Sequence, residues 1–306
     1  MEAAYLDLLR DVLENGEDAI DRTGTGTRSL FGRQMRFDLS EAFPAITTKT
    51  LAWRAVKGEL LWFLEGSGSN ERLAEITTGN RDARTIWTDN AEAPYWKPKA
   101  AYAGDLGRVY GVQWRKWQST EHLTAPNEAE MHDDGSVSMW GANLLVKEID
   151  QIARIVESLR TNPKDRRMIL TAFNVGELDQ MALPPCHMFA QFHVNMKTNK
   201  LNSQVYIRSN DLGLGAPFNI ASYALLQHML AQVSGRDVGE LIITIGDAHI
   251  YSNHFDQVKE QLSRTPFAPP QLKINPEIKE IDDFKMDDFA LVGYKNHPAI
   301  KAPMAV

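Results

Sequence analysis

Residues 183–223 read LPPCHMFAQFHVNMKTNKLNSQVYIRSNDLGLGAPFNIASY, and the pattern of this segment indicates the fold class. Strand-like runs cover 187–195 and 201–208, and a long apolar run predicts a helix over 219–233. These elements mix strands and helices without the strict strand-helix-strand alternation that is typical of parallel sheets. The segment therefore favours a mixed α+β fold.

The flanking sequence continues the same mixture of helices and strands. Helical spacing of apolar residues predicts helices over 5–15, 53–65, 146–160 and 252–263, and strand-like patterns cover 31–39, 167–173 and 240–246. Gly16 is placed to end the first helix. Periodicity is lost and polar residues dominate near 88–106 and 119–140, which predicts two surface insertions rather than linkers. With no internal repeat, residues 1–306 are predicted to form one domain.

The composition describes a soluble globular protein. Its 306 residues are 43% hydrophobic and 24% charged, which suffices for one large core or two modest ones. No apolar run approaches the roughly 20 residues that span a bilayer, and the acidic, amphipathic N-terminus does not resemble a signal peptide. We therefore expect a cytoplasmic protein with no membrane partner. A net charge of −7 gives no general attraction to nucleic acid, so a local arginine cluster has to hold any anionic ligand.

The single cysteine, Cys186, lies between Pro185 and His187. A lone cysteine is most often an inert buried thiol, and it cannot form an internal disulfide. The adjacent histidine and nearby basic residues favour a reactive thiol instead, because positive charge lowers a thiol pKa and supplies thiolate. The sequence context therefore favours a nucleophile.

Two stretches after Cys186 carry groups that suit a nucleotide. The guanidinium of Arg208 matches phosphate geometry and Ser209 adds a hydroxyl donor, although arginines in an acidic chain are by default solvated or ion-paired. Asn219 can both donate and accept hydrogen bonds. A thiol, an arginine that binds phosphate and such an amide together suit covalent attack on a pyrimidine base.

Glu59 stands inside the apolar run ELLWFL at 59–64. Its carboxylate is either on the wet face of a helix or buried with a raised pKa and poised for proton transfer, and the sequence leaves both alternatives open. Other patterns are weaker. The run TGTGT at 23–27 lacks the Gly-Lys-Ser/Thr ending of a phosphate loop, and His249 and His254 are poorly spaced for a metal pair. We predict no metal.

A set of ordered motifs is similar to those of a known family over nearly the whole chain. The motifs are DRTGTGT at 21–27, ELLWFL at 59–64, TIW at 85–87, GDLG at 104–107, YGVQWR at 110–115, DRR at 165–167, LPPCH at 183–187, PFNIASY at 217–223, HIYSNH at 249–254 and KAPMAV at 301–306. By these motifs the chain resembles thymidylate synthases and their hydroxymethylase relatives, which transfer one carbon from 5,10-methylenetetrahydrofolate to C5 of a pyrimidine nucleotide. The resemblance implies a three-layer α+β catalytic domain over 1–306. It also implies a homodimer with shared active sites and a mixed β-sheet at the dimer interface.

The resemblance further implies a role for each candidate site residue. Cys186 would add to C6 of dUMP, and the other catalytic residues would be Glu59, Tyr110, His187, Arg208 and Asp211. The residues implied to bind dUMP are Arg22, Arg208, Ser209, Asn219, His249 and Tyr251, joined by Arg166 and Arg167 from the other subunit. Those implied to line the folate pocket are Ile86, Trp87, Asp211, Leu214, Gly215 and Phe218, with the C-terminal residues, Ala305 among them, closing over it. Judged singly, Tyr110, His249 and Tyr251 are more often structural residues.

Three positions depart from the usual thymidylate synthase pattern. Ile207 replaces a glutamine, Ile245 replaces the first glycine of Gly-Gly-Asp, and Gly213 stands where a large residue is common. Deoxycytidylate hydroxymethylases share the first two features and the Arg-Ser-Asn-Asp sequence, but carry aspartate in place of Asn219. The combination predicts a deoxyuridylate hydroxymethylase of the kind that bacteriophages use. We expect the branched apolar groups and a void at Gly213 to change the placement of ordered water and folate, so that water rather than hydride captures an exocyclic methylene on the base.

Other hypotheses compete with this one. The C-terminal KAPMAV at 301–306 is that of a methylating enzyme, so reductive methylation of dUMP to dTMP, with dihydrofolate as co-product, is the first alternative. A catalytically silent nucleotide- or RNA-binding relative is the second, and the joint presence of Cys186, Glu59, Tyr110 and Asn219 argues against it. A cysteine hydrolase has no support beyond Cys186 itself.

Overall fold

A computed structural model of the chain describes residues 1–20, 24–122, 129–131, 137–139 and 144–303. Its helices are α1 (Ala3–Asn15), α2 (Trp53–Leu64), α3 (Asn70–Thr78), α4 (Thr88–Ala91), α5 (Tyr110–Arg115), α6 (Gln151–Thr161), α7 (Gly215–Ser234) and α8 (Phe255–Ser263). Its strands are β1 (Glu17–Ala19), β2 (Thr27–Asp38), β3 (Trp117–His122), β4 (Ala129–Met131), β5 (Val137–Met139), β6 (Leu144–Ile149), β7 (Ile169–Thr171), β8 (His187–Asn195), β9 (Lys200–Asp211), β10 (Asp237–Tyr251), β11 (Gln271–Ile274) and β12 (Phe289–Val292). This mixture confirms the predicted α+β class.

Six strands form the principal sheet, in the order β1-β2-β10-β9-β8-β7. β10 runs parallel to β9 and antiparallel to β2, and the remaining neighbours are antiparallel, so the sheet is mixed as predicted. On β9, Ile207 lies opposite both Ile245 of β10 and His187 of β8. This register brings the carboxyl ends of β9 and β10 next to the start of β8.

Helices cover one face of the sheet in two layers. α1 packs against β2 and β10 with Tyr5, Leu9 and Val12 fully buried, because its apolar residues recur at helical spacing. α7 is apolar on nearly all sides and lies in the interior, between the sheet and α2. The sheet, α7 and α2 therefore form three layers. The first turn of α7 lies next to the end of β9.

The opposite face of the sheet carries polar and aromatic side chains. Phe31 is 79% exposed and Phe189 is 39% exposed, and the Phe189 ring stacks on Tyr206 at a centroid distance of 5.8 Å. Gln204 Nε2 donates to Thr244 Oγ1 at 3.2 Å on the same face. Large exposed aromatic groups are typical of a surface that contacts another protein. The dimer interface predicted for this face stays a prediction.

The helix predicted over 146–160 begins later than expected. Residues up to Ile149 belong to β6, which pairs with β3 so that Ile149 lies opposite Trp117. Asp150 then caps α6, with its carboxylate accepting from the main-chain N–H of Ala153 at 2.9 Å. The prediction was wrong at 146–150 because apolar residues of the strand continue the helical spacing by chance.

Segment 88–106 is polar on its surface but anchored in the core. Trp96 and Leu106 are 3% and 0% exposed, and Trp96 Nε1 donates to the Asp105 carbonyl oxygen at 2.7 Å. The buried apolar residues, Ala91, Ala93, Trp96 and Leu106, are spaced irregularly, so the sequence shows no helical or strand period here. Segment 119–140 lies partly outside the described residues, and its described parts pair as β3 with β6 and β4 with β5.

None of the helices in the described ranges is long and apolar enough to cross a membrane.

Candidate active site

Cys186 immediately precedes β8 and lies against the side chain of Arg208 on β9. Arg208 Nε and Nη2 donate to the carbonyl oxygens of Pro185 and Pro184 at 2.9 and 3.0 Å. The same Nη2 lies 3.8 Å from Cys186 Sγ. Two main-chain carbonyls therefore fix a positive charge beside the sulfur, which favours the thiolate electrostatically.

The pKa of the half-buried Cys186 thiol is nevertheless raised. Burial disfavours the thiolate, and this effect exceeds the opposing influence of Arg208 and Tyr110. Arg208 does lower this pKa, as predicted for a neighbouring basic residue, but burial outweighs it, so the thiol does not have the depressed pKa that the sequence indicated. A nucleophilic role for the thiol consequently requires that a base accept its proton.

His187 and Tyr110 stack behind Cys186. Their ring centroids are 4.0 Å apart with an interplanar angle of 20°. Tyr110 Oη accepts from the Cys186 main-chain N–H at 2.7 Å, and His187 Nδ1 forms a 2.7 Å hydrogen bond with Tyr223 Oη. Burial lowers the pKa of His187 to about 3, because the dry surroundings penalise the imidazolium. His187 is thus neutral at pH 7 and cannot supply the positive charge that the sequence suggested.

Glu59 is 7% exposed, so the buried alternative is the one observed. Its Oε1 accepts from Trp87 Nε1 at 2.7 Å. Burial raises the pKa of Glu59 to about 7, with the Trp87 hydrogen bond acting in the opposite direction. A carboxyl group that gains and loses a proton near neutral pH suits general acid-base chemistry.

The Glu59 pKa predicts a pH-dependent stability difference between Glu59→Gln and the wild type. As pH rises from about 5 towards 7, the unfolded chain releases this proton while the folded protein retains it, so the wild type loses stability. Above the folded pKa of about 7 both states are ionised and the loss is complete. From pH 5 to pH 8, we expect the free energy of unfolding of the variant, measured in urea, to rise by about 2–3 kcal/mol relative to that of the wild type. Glu14→Gln, at an exposed position of α1, is the control, and an equal pH response in both variants contradicts the assignment.

A cavity of about 330 Å³ opens beside Glu59. The residues that line it are Ala55, Glu59, Leu73, Thr77, Thr78, Arg84, Thr85, Ile86 and Phe218. Ile86 is 48% exposed at this cavity, and Trp87 follows it with its indole turned inward to Glu59. A largely apolar cleft with a few polar groups fits the aromatic rings of a folate.

Asp211 organises the turn between β9 and α7. Its Oδ1 accepts from the main-chain N–H groups of Gly213 and Leu214 at 2.8 and 3.3 Å. Lys49 Nζ donates to the Gly213 carbonyl oxygen, and burial lowers the pKa of Lys49 to about 8. α7 then begins at Gly215. This turn fixes the first residues of α7 relative to the sheet.

The predicted base and ribose contacts gather at the same end of the sheet. Asn219 is half-buried near the start of α7, and its Nδ2 donates to Asn210 Oδ1 at 3.4 Å. Ser209 lies next to Arg208 on β9. His249 is 6% exposed on β10, and its ring meets Tyr251 edge-on at 5.2 Å. Strand pairing therefore brings together side chains from β9, β10 and α7 that are distant in sequence.

Arg166 and Arg167 are not part of this cluster. Both are exposed on the loop before β7, two strands away from β9. The Arg167 side chain is 88% exposed and lies 3.1 Å from Asp165. Within a single chain, therefore, the side chains of both arginines are exposed and lie away from the cluster around Cys186. Arg22 and Ala305, also predicted to be site residues, lie outside the described residues.

The three departures from the family pattern differ in their surroundings. Ile207 and Ile245 are fully buried opposite each other. A Cβ at Gly213 would lie 3.1 Å from His254 Nδ1 and 3.2 Å from Asp211 Oδ1. These two side chains fill most of the space beside Gly213 and leave a cavity of about 10 Å³, which is about the volume that one water molecule needs.

Three neighbours of the site were missed in the sequence. Tyr223 bonds to His187, Asn210 contacts Asn219, and Lys49 binds the turn after β9. Tyr223 is four residues after Asn219 and thus on the same face of α7, which is a signal that helical spacing offered. Lys49 and Asn210 gave no comparable signal. Within the described ranges, no three His, Cys, Asp or Glu side chains are grouped to hold a metal ion.

Comparison with known families adds an independent finding. A family model described as thymidylate synthase matches residues 3–306. The match spans the principal sheet, all three layers and every candidate site residue. It agrees with the resemblance carried by the separate motifs.

Proposed function

The chain belongs to the thymidylate synthase family, and from this premise we propose that it is a deoxyuridylate hydroxymethylase. Members of the family are one-carbon transferases that act from methylenetetrahydrofolate on C5 of dUMP. The proposed reaction consumes dUMP, methylenetetrahydrofolate and water, and it yields 5-hydroxymethyl-dUMP and tetrahydrofolate. We place it in cytoplasmic nucleotide biosynthesis, in the role that such enzymes have in bacteriophages.

The proposed reaction begins with covalent attack by Cys186. The Cys186 thiol gives its proton to Glu59 through water, the thiolate adds to C6 of dUMP, the electron pair of the C5–C6 double bond moves toward O4, and C5 becomes nucleophilic. Arg208, held 3.8 Å from the sulfur, stabilises the thiolate. Asn219 donates to O4 and accepts from N3–H of the base. The fixed guanidinium beside the sulfur supports this assignment.

Glu59 accepts and returns protons in the proposed mechanism. Its pKa of about 7 matches the pH at which the reaction runs, so neither protonation state is strongly disfavoured. Neutral His187 and Tyr110 keep the region around the thiol dry and orient the Cys186 main chain. Both roles are consistent with the buried stack of their rings.

The folate supplies the one-carbon unit and, in methylating members, a hydride as well. Ile86 and Phe218 hold its rings in the cavity beside Glu59, and Trp87 supports the cavity through its hydrogen bond to Glu59. We also assign the turn at Asp211, Leu214 and Gly215 to this pocket, and we assign to the C-terminal residues, Ala305 among them, the role of excluding bulk water.

We propose that the phosphate of dUMP is bound between two subunits of a homodimer. Ser209, Arg208 and Arg22 contribute from one chain, and Arg166 and Arg167 from the other. The outward position of Arg166 and Arg167, two strands away from β9, supports a contribution in trans. Their guanidinium groups match phosphate geometry. His249 and Tyr251 bind the ribose hydroxyl.

The buried pair Ile207 and Ile245 is the observation that most supports a hydroxymethylated product. Both are 0% exposed, and Ile207 lies opposite His187 in the neighbouring strand. Where the usual pattern has an amide and a glycine, this pair has two branched apolar side chains, and neither of them can hydrogen-bond a water molecule.

Reductive methylation to dTMP is the second candidate function. The sequence KAPMAV at 301–306 favours it, since this ending is that of a methylating enzyme. Water and hydride compete for one electrophilic carbon, and a difference of about 1.4 kcal/mol between the two barriers changes the partition tenfold. Small changes in the interior can therefore decide the product.

Product identification tests the proposal. With dUMP and methylenetetrahydrofolate in ¹⁸O-labelled water, we expect mass spectrometry to find 5-hydroxymethyl-dUMP carrying the label, with little dihydrofolate by absorbance. In Ile207→Gln we expect the ratio of dTMP to 5-hydroxymethyl-dUMP to rise. The rise is roughly tenfold if the substitution changes the difference between the two capture barriers by about 1.4 kcal/mol. Ile243→Val, at a buried position of β10, is the control and should leave the partition unchanged. Stoichiometric dTMP and dihydrofolate from the wild type would establish an ordinary thymidylate synthase.

A further inference from the structure

We infer that Asn210 sets the base specificity of the site by holding the Asn219 amide in one orientation. The inference rests on the proposed function, because it takes Asn219 as the residue that reads the pyrimidine base. Asn210 is a positioning residue in this account, since it acts on the base through Asn219.

The side chain of Asn210 contacts that of Asn219 where β9 meets α7. Asn210 lies on β9 opposite Ala248 and is 3% exposed. Its Oδ1 accepts from Asn219 Nδ2 at 3.4 Å. The same oxygen lies 3.6 Å from the Cβ position of Gly215. The Asn210 carbonyl is thus enclosed between the end of β9 and the first turn of α7.

This contact decides which edge of Asn219 faces the base. A carboxamide has two N–H donors and one oxygen acceptor, and reading uracil uses one N–H at O4 and the oxygen at N3–H. The second N–H of Asn219 is the one bound to Asn210 Oδ1. An amide rotated by 180° presents its N–H to N3 and its oxygen to the exocyclic position, which complements cytosine. In that orientation two carbonyl oxygens, of Asn219 and Asn210, face each other.

As long as Asn210 keeps Oδ1 toward Asn219, it therefore penalises the orientation that accepts cytosine, because that orientation sets two carbonyl oxygens against each other. Without it, the two orientations of Asn219 differ little in energy, because rotation of a terminal amide has a broad, roughly two-fold profile. The enzyme then reads either base. Discrimination between uracil and cytosine depends in this account on the Asn210 carbonyl as much as on Asn219.

The Asn210 Nδ2 group has a separate role. It is buried and has no hydrogen-bond partner among the described residues. A buried N–H without an acceptor is costly, so the occupied site supplies one, either a bound water or O4 of the base. Ile207, three residues earlier on β9, is apolar and cannot supply such a hydrogen-bond donor. Asn210 thus has two roles: its Oδ1 orients Asn219, and its Nδ2 donates a hydrogen bond in the occupied site.

Two substitutions separate these functions. Asn210→Asp keeps an acceptor for Asn219 but removes the donor, because both carboxylate oxygens accept. Asn210→Leu has a similar shape and removes both. Ser203→Ala is the matched control, since Ser203 is buried on the same strand and bonds to Gln227 away from the site.

Tritium release from 5-³H-dUMP and 5-³H-dCMP gives kcat/KM for each base. It reports loss of the C5 hydrogen, whether the product is methylated or hydroxymethylated. We expect kcat/KM for dUMP to fall about 10-fold in both Asn210 variants, as for loss of one buried hydrogen bond. The ratio of kcat/KM for dUMP to kcat/KM for dCMP should be about 10-fold lower than in the wild type in Asn210→Leu. In Asn210→Asp this ratio should stay near the wild-type value. Ser203→Ala should change neither quantity.

Each other outcome overturns the inference. Asn210 does not orient Asn219 if Asn210→Leu keeps the wild-type ratio of kcat/KM for dUMP to kcat/KM for dCMP. The same conclusion follows if this ratio falls as far in Asn210→Asp as in Asn210→Leu. Asn210→Ala replaces Asn210→Leu if the latter does not fold, with the same expectation. Absence of tritium release from dUMP in the wild type overturns the proposed function itself, and this inference with it.

Discussion

Turnover is expected to fall by about 10⁴-fold or more in Cys186→Ala, because the variant has no group to attack C6 of the base. The fold and part of the affinity for dUMP should remain. Cys186 is only half-buried, so loss of the sulfur leaves a small cavity that costs about 1 kcal/mol of stability. Tritium release measures turnover, and calorimetric titration measures dUMP binding.

A covalent trap separates loss of the nucleophile from loss of binding. In the wild type, 5-fluoro-dUMP and methylenetetrahydrofolate should form an adduct whose mass reports all three components. Cys186→Ala should bind the same nucleotide without forming the adduct. Appreciable turnover in this variant contradicts the assignment of Cys186 as the nucleophile.

The same variant tests whether active sites are shared. Cys186→Ala subunits supply intact Arg166 and Arg167, and a double Arg166→Ala, Arg167→Ala variant supplies an intact thiol. Reassociation of the two inactive proteins should restore up to about a quarter of wild-type activity if arginines act in trans, as random pairing of subunits in a symmetric dimer gives. No recovery from a mixture shown to contain heterodimers places the arginines and the thiol in one chain.

Base preference is expected to shift by about 100-fold or more toward dCMP in Asn219→Asp. A site that hydrogen-bonds one base leaves buried groups unpaired with the other, which is the strongest form of discrimination. A protonated carboxyl donates from its O–H to N3 of cytosine and accepts from the amino group through its carbonyl oxygen. Competition between dUMP and dCMP, read by tritium release, gives the ratio directly.

Two comparisons make this expectation specific. Asn219→Ala should lose dUMP turnover without gaining dCMP turnover, since it removes both hydrogen bonds. In Asn219→Asp, use of dCMP should decline as pH rises through the pKa of the new carboxyl, because the ionised form has no proton to donate. Equal use of both bases by the unmodified enzyme contradicts the role assigned to Asn219.

Local patterns were sufficient for most of the fold. Helical spacing located α1, α2 and α7, and alternation located β8 and β9, because each of these elements buries one face or all of its surface. The same logic failed at 146–150, where β6 precedes α6. Pairing with β3 decides the strand there, and pairing partners distant in sequence are not visible in a local pattern.

The chemical identity of the site groups was also readable in the sequence. Cys186, Arg208 and Asn219 have side chains whose chemistry is intrinsic, so their presence restricts the reaction before any coordinates are known. Their ionisation was not readable. Burial around Cys186 outweighs the effect of Arg208 on the thiol pKa, and His187 is neutral. Both results depend on how completely the surroundings exclude water, which no single residue determines.

Sequence alone therefore determined the α+β class, the family and the kinds of groups at the site, because periodicity and side-chain chemistry are properties of short segments. Only the tertiary structure decided that Glu59 is buried against Trp87 with a pKa of about 7. It also decided that His254 and Asp211 fill most of the space beside Gly213, and that the side chains of Asn210 and Asn219 are in contact. Each of these depends on contacts between segments far apart in the chain. Such contacts are fixed by the packing of whole elements, since burial and hydrogen-bond partners exist only after the layers have come together.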